Sequence, residues 1–188
     1  FSTGGKLLAA LFQSVTLRTA GFASFNQDAL TEASKLLSNI LMFVGGSSGS
    51  TAGGVKTVTM GLVVLSAVST MRGRRQVTVF RRSISQQDIS NAVSVALLVL
   101  GLSLFGAAVL TVCDRCSFLN AIYETTSALC TVGLTTGITS TLCAASKLIL
   151  IVFMFFGRVG IMTIGVGFMM GDRARERVQY AETKVMIG

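Results

Sequence analysis

The sequence predicts an all-α membrane protein in which one helical unit occurs twice. Its composition is 51% hydrophobic and only 13% charged, whereas soluble domains carry about a quarter charged residues. A run of 20 uncharged residues at 93–112 is long enough to cross a bilayer core of about 30 Å as a helix. Two Thr-x-Gly motifs, TAGF at 19–22 and TVGL at 131–134, lie 112 positions apart. Together these observations favour a repeated membrane fold over a soluble domain.

The charged residues predict which helix ends face the cytoplasm. The net charge is +8 and there is no histidine, so the usual general base is missing and an enzyme is disfavoured. Basic runs can bind nucleic acid, but here each follows an apolar segment, as the positive-inside rule requires of cytoplasmic loops. We therefore expect a multi-pass protein of the cytoplasmic membrane with a cytoplasmic C-terminus and no nucleic-acid partner. The two basic groups are Arg72, Arg74, Arg75, Arg81 and Arg82, and Arg173, Arg175, Arg177 and Lys184.

The first unit begins with a short apolar segment and ends in an interrupted one. Residues 6–17, KLLAALFQSVTL, are too few to span a bilayer and are typical of a re-entrant helix. The apolar run at 36–71 is too long for one spanning helix and contains GGSSGSTAGGVKT at 45–57. We expect two half-helices, LLSNILMFV and VTMGLVVLSAVSTM, around a glycine-rich break within the membrane.

The second unit has the same order of segments. The 93–112 helix opens it, FLNAIYETTSALC at 118–130 is the short helix, and an apolar run at 144–170 is interrupted by GRVG at 157–160. Shifting by 112 aligns SKLLSNILMFVGG (34–46) with SKLILIVFMFFGR (146–158) without a gap. Such internal similarity is the signature of a repeat.

Four regions follow from this repeat. They are a first unit without its opening helix (1–71), a basic cytoplasmic linker (72–87), a complete second unit (88–171) and a cytoplasmic tail (172–188). The missing opening helix leads us to expect that the N-terminal part of a longer protein precedes Phe1.

A Thr-x-Gly turn at the end of a re-entrant helix can bind dehydrated cations. In potassium-channel filters the backbone carbonyls replace the hydration shell of the ion, and glycine adopts the backbone angles that turn the carbonyls inward. An isolated motif of this kind is only a turn. Because it recurs at the ends of two short helices, we interpret it as part of a selectivity filter with a single glycine per turn.

The pore-loop repeat, the single-glycine turns, GGSSGSTAGGVKT and GRVGIMTIG together resemble the Trk/Ktr/HKT superfamily of potassium transporters, in particular the third and fourth pore-loop units of a Ktr-type membrane subunit. The resemblance covers essentially the whole chain, including the tail YAETKVMIG. It implies K⁺-channel-like helix–pore loop–helix units that carry K⁺ on filter carbonyls. The implied filter residues are Thr19, Ala20, Gly21 and Phe22, and Thr131, Val132, Gly133 and Leu134.

The same resemblance implies a gate below the filter. Its flexible intramembrane part would be Gly45, Gly46, Ser47, Ser48, Gly49, Ser50, Thr51, Ala52, Gly53 and Gly54. Arg158 aligns with Gly46 and, as a charge within an apolar run, is expected to form a barrier and to anchor the loop. The alternatives are a small-residue helix-packing face for the loop and a snorkelling side chain for the arginine. Ile161 stands where relatives often have proline, which leaves the shape of that break open.

Partners and ions are also implied by the resemblance. They are the remaining pore repeats from an N-terminal half, a second copy in a homodimer, a cytoplasmic nucleotide-binding regulatory subunit and the lipid bilayer. K⁺ is the transported ion, Na⁺ is open as a coupling or activating ion, and no organic cofactor is expected.

Two other functions remain open at this point. One is a self-contained two-pore-loop K⁺ channel that dimerises to complete its pore. The other is a nucleotide-binding P-loop, because Gly49 and Gly54 have its spacing, although Val55 stands where its lysine belongs before Lys56 and Thr57. A P-loop requires a preceding soluble strand, which the sequence does not predict.

Three minor features complete the expectations. Glu124 either stabilises the rear of the filter or is a solvated helix residue. Lys56 either faces a cytoplasmic vestibule or caps the second half-helix. We expect Cys113, Cys116, Cys130 and Cys143 to be buried free thiols, since no second pair has the spacing of a zinc site.

Overall fold

The computed structural model describes residues 3–50, 52–73, 76–79 and 82–159 of the chain. Several residues with predicted roles lie outside this range: Thr51 of the gate, Arg74, Arg75 and Arg81 of the linker, Gly160 and Ile161 after the last helix, and the whole tail at 172–188.

The described chain is helical, which confirms the all-α class. Its six α-helices are α1 (Thr3–Thr16), α2 (Glu32–Phe43), α3 (Thr57–Met71), α4 (Gln86–Asp114), α5 (Phe118–Leu129) and α6 (Ala144–Val159). Short 3-10 turns at Gln27–Ala29 and Ile138–Ser140 precede α2 and α6. In the predicted linker, two-residue strands β1 (Thr78–Val79) and β2 (Arg82–Ser83) pair antiparallel.

Helix α4 is long and apolar enough to cross a membrane. Its 29 residues correspond to roughly 43 Å at the usual helical rise. Its N-cap is Ser85, whose hydroxyl accepts a hydrogen bond from the Asp88 N–H, and its C-cap is Arg115 in the left-handed conformation. Within the described residues it is the one helix that meets this length and composition, whereas α3 is apolar but shorter.

Helix α5 lies at the centre of the molecule. It packs against α2, α4 and α6, and every residue from Tyr123 to Leu129 is buried. The core around it includes Met42 of α2, Val99 and Leu110 of α4, and Phe153 of α6. A short helix is therefore held at depth by three neighbours, which fixes the turn that follows it.

Corresponding elements recur at the predicted distance. Helix α2 begins at Glu32 and α6 begins at Ala144, 112 positions later. Each follows a short 3-10 turn, and farther upstream each has a short helix that is followed by a Thr-x-Gly motif.

The prediction of an interruption at GRVG is wrong for residues 157–159. Helix α6 continues through Gly157 and Arg158 to Val159. Glycine weakens a helix, but at Gly157 a Cβ would collide with the carbonyl oxygen of Leu129. This glycine permits close packing of α6 against the end of α5, and the helix continues through it to Val159.

The break in the first unit is present. Helix α2 ends at Phe43 and α3 begins at Thr57. The segment between them contains the glycine-rich loop, a name we use for Gly45–Gly54. A parallel bridge between Val44 and Val55 brings the ends of the loop together.

Candidate filter turns and intramembrane loop

The two Thr-x-Gly motifs have the same unusual backbone conformation. Thr19 and Gly21 have φ values of 66° and 77°, and Thr131 and Gly133 have φ values of 54° and 90°. Positive φ is uncommon for a residue with a β-carbon, yet the threonine adopts it in both motifs. We call Thr19–Phe22 the first turn and Thr131–Leu134 the second turn.

The two turns contact each other through one of the glycines. A Cβ on Gly21 would collide with the carbonyl oxygen of Val132, whereas a Cβ on Gly133 would meet nothing within 4 Å. Gly21 is therefore required for both its conformation and its close contact, and Gly133 for its conformation alone.

The predicted filter residues differ in exposure. In the second turn the side chains of Val132 and Leu134 are buried, with 4% and 3% of their surface exposed. In the first turn Ala20 is exposed and Phe22 is 72% exposed. The fold therefore brings the two turns into contact, but only the second turn has buried side chains.

Each turn is attached to its own helix by a hydroxyl group. The Thr16 hydroxyl donates to the Phe22 carbonyl at 2.7 Å and accepts from the Phe22 N–H at 2.8 Å. The Ser127 hydroxyl donates to the Leu134 carbonyl at 2.6 Å. Both hydroxyl-bearing residues are buried.

Glu124 holds the segment that leaves the second turn. Its carboxylate is buried, with 4% exposed, and accepts from the Thr136 N–H at 2.9 Å, from the Thr135 hydroxyl at 2.5 Å and from the Thr139 hydroxyl at 2.8 Å. The Thr136 hydroxyl donates to it at 3.2 Å. Of the two readings of Glu124, the solvated one is wrong, since a buried carboxylate needs such donors.

At Gln27, the segment that leaves the first turn is held by uncharged side chains. The Gln13 amide donates to the Gln27 side-chain oxygen at 2.6 Å, and the Tyr123 hydroxyl donates to the same oxygen at 3.2 Å. Gln27 donates to the Phe25 carbonyl at 3.1 Å. We call Gln13, Gln27 and Tyr123 the amide cluster; sequence analysis missed it, because none of these residues lies in a recognisable motif.

A buried lysine joins α2 to α5 nearby, across the boundary between the two predicted units. Lys35 of α2 donates to the Asp28 carboxylate at 2.9 Å and to the Asn120 side-chain oxygen at 3.0 Å. Asn120 belongs to α5 of the second unit, so this contact fixes α2 against the central helix.

The glycine-rich loop lies directly against the second turn. The Gly53 N–H donates to the Thr131 hydroxyl oxygen at 3.1 Å, and a Cβ on Gly53 would collide with that hydroxyl. Arg18, next to the first turn, donates to the Gly45 carbonyl at 3.4 Å. The loop therefore contacts the first residue of the second turn and the residue that precedes the first turn.

Arg158 lies between two cavities. A cavity of about 850 Å³ is lined by Ser50, Ala52, Gly53 and Gly54 of the loop, by Lys56 and by Arg158. A cavity of about 510 Å³ is lined by Thr131, Gly133 and Leu134 of the second turn, by Glu124 and by Arg158. Arg158 therefore lines both the cavity next to the glycine-rich loop and the cavity next to the second turn.

Lys56 occupies the N-cap position of α3, but its side chain makes no capping hydrogen bond. It lines the cavity of about 850 Å³, and the cytoplasmic vestibule stays a prediction. The helix before the loop also removes the strand that a P-loop requires.

The expectation of four buried cysteines is partly wrong. All four thiols are free, but only Cys130 is buried, Cys116 is half-buried, and Cys113 and Cys143 are exposed. The described residues contain no cluster of metal-binding side chains. Of the exposed pair, Cys113 lies near the end of α4 and Cys143 directly precedes α6.

The start of α6 affects the Cys143 thiol. The Ser146 hydroxyl lies 3.4 Å and its N–H 3.5 Å from the Cys143 sulfur, and these contacts lower the pKa of the thiol. Asp114 accepts from the Cys143 N–H at 2.6 Å and from the Ser146 hydroxyl at 2.5 Å, which ties the end of α4 to the start of α6.

Comparison with known proteins gives consistent matches. The TrkH family, described as cation transport protein, matches residues 1–175. The Ktr system potassium uptake protein B of Bacillus subtilis is 38% identical over 97% of this chain and 41% of its own length. The potassium/sodium uptake protein NtpJ of Enterococcus hirae is 36% identical, over 97% of the chain and 42% of its own length. The Ktr system potassium uptake protein B of Vibrio alginolyticus is 32% identical over the whole chain and 41% of its own length. The chain spans about two fifths of the length of these relatives.

Proposed function

Since this chain belongs to the TrkH family of cation transport proteins, we propose that it forms part of a pore for K⁺ uptake across the cytoplasmic membrane. The observation that carries the proposal is the recurrence of one conformation in two adjacent turns. Thr19 and Thr131, and Gly21 and Gly133, share positive φ at the same spacing. Alternation of this kind turns successive carbonyls toward one side, as a cation filter requires.

The apolar surface supports a membrane location. Leu7, Leu8, Leu11 and Val15 of α1 are each at least 60% exposed, and so are Leu148, Ile151 and Phe155 of α6. Exposed apolar areas of this kind mark surfaces that contact lipid or other protein segments. We propose that lipid covers part of them and that the remaining pore repeats cover the rest.

The gate that we propose consists of the glycine-rich loop and Arg158. Small polar residues and irregular backbone are tolerated at membrane depth where they line a wet cavity, and the loop lines one with Arg158. A positive charge there opposes the passage of a cation. Displacement of the loop would open the path between the two cavities.

The relatives suggest the partners. Two of them are named as Ktr system proteins and one as a potassium/sodium uptake protein. We propose a homodimer that docks a cytoplasmic nucleotide-binding subunit on its basic cytoplasmic segments, with K⁺ as the main ion and Na⁺ as a second, coupling or activating ion.

The test is uptake by the full-length protein that contains this chain. Expressed in bacteria without their own K⁺ uptake systems, it should restore growth at low K⁺ and accumulate Rb⁺. Failure of both, with normal amounts of protein in the membrane, would overturn the proposal. Equal uptake of Na⁺ and K⁺ would favour the mixed function in the name of the Enterococcus relative. Crosslinks between filter turns of two copies around one pore would favour the dimeric two-pore-loop channel instead.

The predicted topology can be tested at Cys143. The turns are expected on the outer side, so a membrane-impermeant maleimide should label this exposed thiol in intact cells. Because its pKa is lowered by the contacts with Ser146, Ser146→Ala should slow the labelling a few-fold at neutral pH. A Cys143→Ser variant, with the other exposed cysteine also replaced, is the control. Labelling that requires permeabilised cells would contradict the orientation.

A further inference from the structure

We infer that Thr16 and Ser127 set the outer limit of the ion-facing carbonyls, by holding the fourth carbonyl of each turn against its helix. This inference rests on the proposed function and assigns a role to two residues outside the Thr-x-Gly motifs. It predicts that Phe22 and Leu134, although part of the predicted filter, contribute no carbonyl to the ion.

In the first turn, the fourth residue is bonded to Thr16 twice. The Thr16 hydroxyl donates to the Phe22 carbonyl at 2.7 Å and accepts from its N–H at 2.8 Å. Thr16 is the last residue of α1 and only 1% of its surface is exposed. The Phe22 carbonyl therefore points at a buried group of its own helix.

In the second turn, Ser127 makes the equivalent contact. Its hydroxyl donates to the Leu134 carbonyl at 2.6 Å, and both residues are 3% exposed. Phe22 and Leu134 correspond at the repeat spacing of 112. Thr16 and Ser127 do not, since Thr16 aligns with Ala128 and Ser127 with Val15. The carbonyl of the fourth turn residue is therefore held by a hydroxyl in both turns, although the hydroxyls come from helix positions that differ by one residue in the alignment. This supports the view that the hydrogen bond itself is required.

The other three carbonyls of each turn are in a different situation. Among the described residues, no hydrogen bond is donated to the carbonyls of Thr19, Ala20 and Gly21, or of Thr131, Val132 and Gly133. A carbonyl without a protein donor needs water or an ion as its partner. Each turn therefore presents three carbonyls to the ion, and the hydrogen bond from the helix hydroxyl keeps the fourth carbonyl away from it.

Selectivity should depend on this closure. A filter discriminates between K⁺ and Na⁺ through the number and the freedom of its carbonyls. Without the hydroxyl, the fourth carbonyl is free to move and no longer holds the three carbonyls before it. A looser set of carbonyls can contract around the smaller ion, so discrimination against Na⁺ falls.

The experiment uses the full-length transporter and measures K⁺/Na⁺ selectivity by uptake. Thr16→Val and Ser127→Ala remove the hydroxyls with little change of volume. Each should lower the selectivity ratio about fivefold, the effect of one net hydrogen bond on an equilibrium. Thr16→Ser and Ser127→Thr retain the hydroxyl and should retain selectivity.

Matched controls come from helix α4. The Thr111 hydroxyl donates to the Ala107 carbonyl and the Ser103 hydroxyl to the Leu100 carbonyl, so Thr111→Val and Ser103→Ala remove similar bonds away from the turns. Both should retain normal selectivity. Unchanged selectivity in Thr16→Val and Ser127→Ala, or an equal loss in the hydroxyl-retaining variants, would overturn the inference. A wild-type protein without K⁺ uptake would instead overturn the proposed function.

A crystal structure of the full-length protein soaked in Rb⁺ tests the inference without mutation. Anomalous density is expected level with the carbonyls of the Thr-x-Gly residues, and none between the carbonyls of Phe22 and Leu134. A Rb⁺ ion coordinated by those two carbonyls would overturn it.

Discussion

The two turns share a backbone and differ in the chemistry that supports it. The first turn leads into a segment held by the uncharged amide cluster of Gln13, Gln27 and Tyr123. The second leads into a segment held by the Glu124 carboxylate. At the repeat spacing, Glu124 corresponds to Phe12. The φ pattern and the helix starts are therefore the same in the two predicted units, whereas the supporting side chains differ.

The largest expected effect separates the two turn glycines. Gly21→Ser would strain the backbone by about 1–2 kcal/mol and also collide with the Val132 carbonyl, so we expect loss of K⁺ uptake. Gly133→Ser carries a similar backbone strain but has open space around its Cβ, so it should retain uptake, with K⁺ preference over Na⁺ lowered about tenfold. The measurement is uptake of Rb⁺ and Na⁺ at equal membrane levels of protein.

Gly101→Ala is the control for this pair, since a Cβ there meets nothing within 4 Å. Unchanged selectivity in Gly133→Ser would contradict the filter assignment. Equal effects at the two glycines would contradict the contact between the turns.

The next effect compares the carboxylate with the amide cluster. Hydrogen bonds to a charged group contribute about 1.5–3 kcal/mol, and neutral ones about 1 kcal/mol. Glu124→Gln should therefore lower K⁺/Na⁺ selectivity about tenfold, and Gln27→Met about fivefold or less. Selectivity and the melting temperature in detergent are the measurements.

Glu32→Gln is a suitable control, because Glu32 is an exposed carboxylate at the start of α2 and should tolerate the change. If Gln27→Met lowered selectivity more than Glu124→Gln, the prediction that the charged carboxylate stabilises its turn more than the neutral amide cluster would be wrong.

The smallest effect concerns the loop and the arginine. The first unit has a loop where the second has the helical residues Gly157 and Arg158. Arg158→Ala, or a deletion within Ser47–Ala52, should raise K⁺ flux several-fold because a positive barrier or its cover is removed. Initial rates of Rb⁺ uptake provide the measurement.

Arg158→Lys keeps the charge and should leave the flux close to that of the wild type. A purely reduced flux in Arg158→Ala, at normal expression, would count against the gate.

Much of the fold could be predicted from the sequence. The short helices before the turns, the long helix and the break before Thr57 follow from apolar run length and glycine content, which are local properties. The turn residues could be predicted because the Thr-x-Gly pattern recurs. These features depend on the chain alone.

The supporting contacts could not be predicted, because they depend on tertiary packing. Gly157 was interpreted as a helix breaker, but its role is set by the Leu129 carbonyl of another helix. Thr16 and Ser127 occupy different repeat positions, so the alignment separates two residues that make the same contact. A signal was nevertheless available for Glu124: a carboxylate within an apolar helix, followed by a threonine-rich segment, indicates a buried acceptor with several hydroxyl donors.

The hydrogen bond from the Gly53 N–H to the Thr131 hydroxyl oxygen has a thermodynamic consequence. In the proposed pore, that oxygen lies at the innermost level of the second turn, where a cation would draw on the same lone pairs. Loop position and ion occupancy are then linked equilibria, and linkage is reciprocal. If the closed loop changes the ion affinity at this level by some factor, a bound ion changes the closing equilibrium of the loop by the same factor. External K⁺ is then both the transported ion and a ligand that shifts the position of the gate.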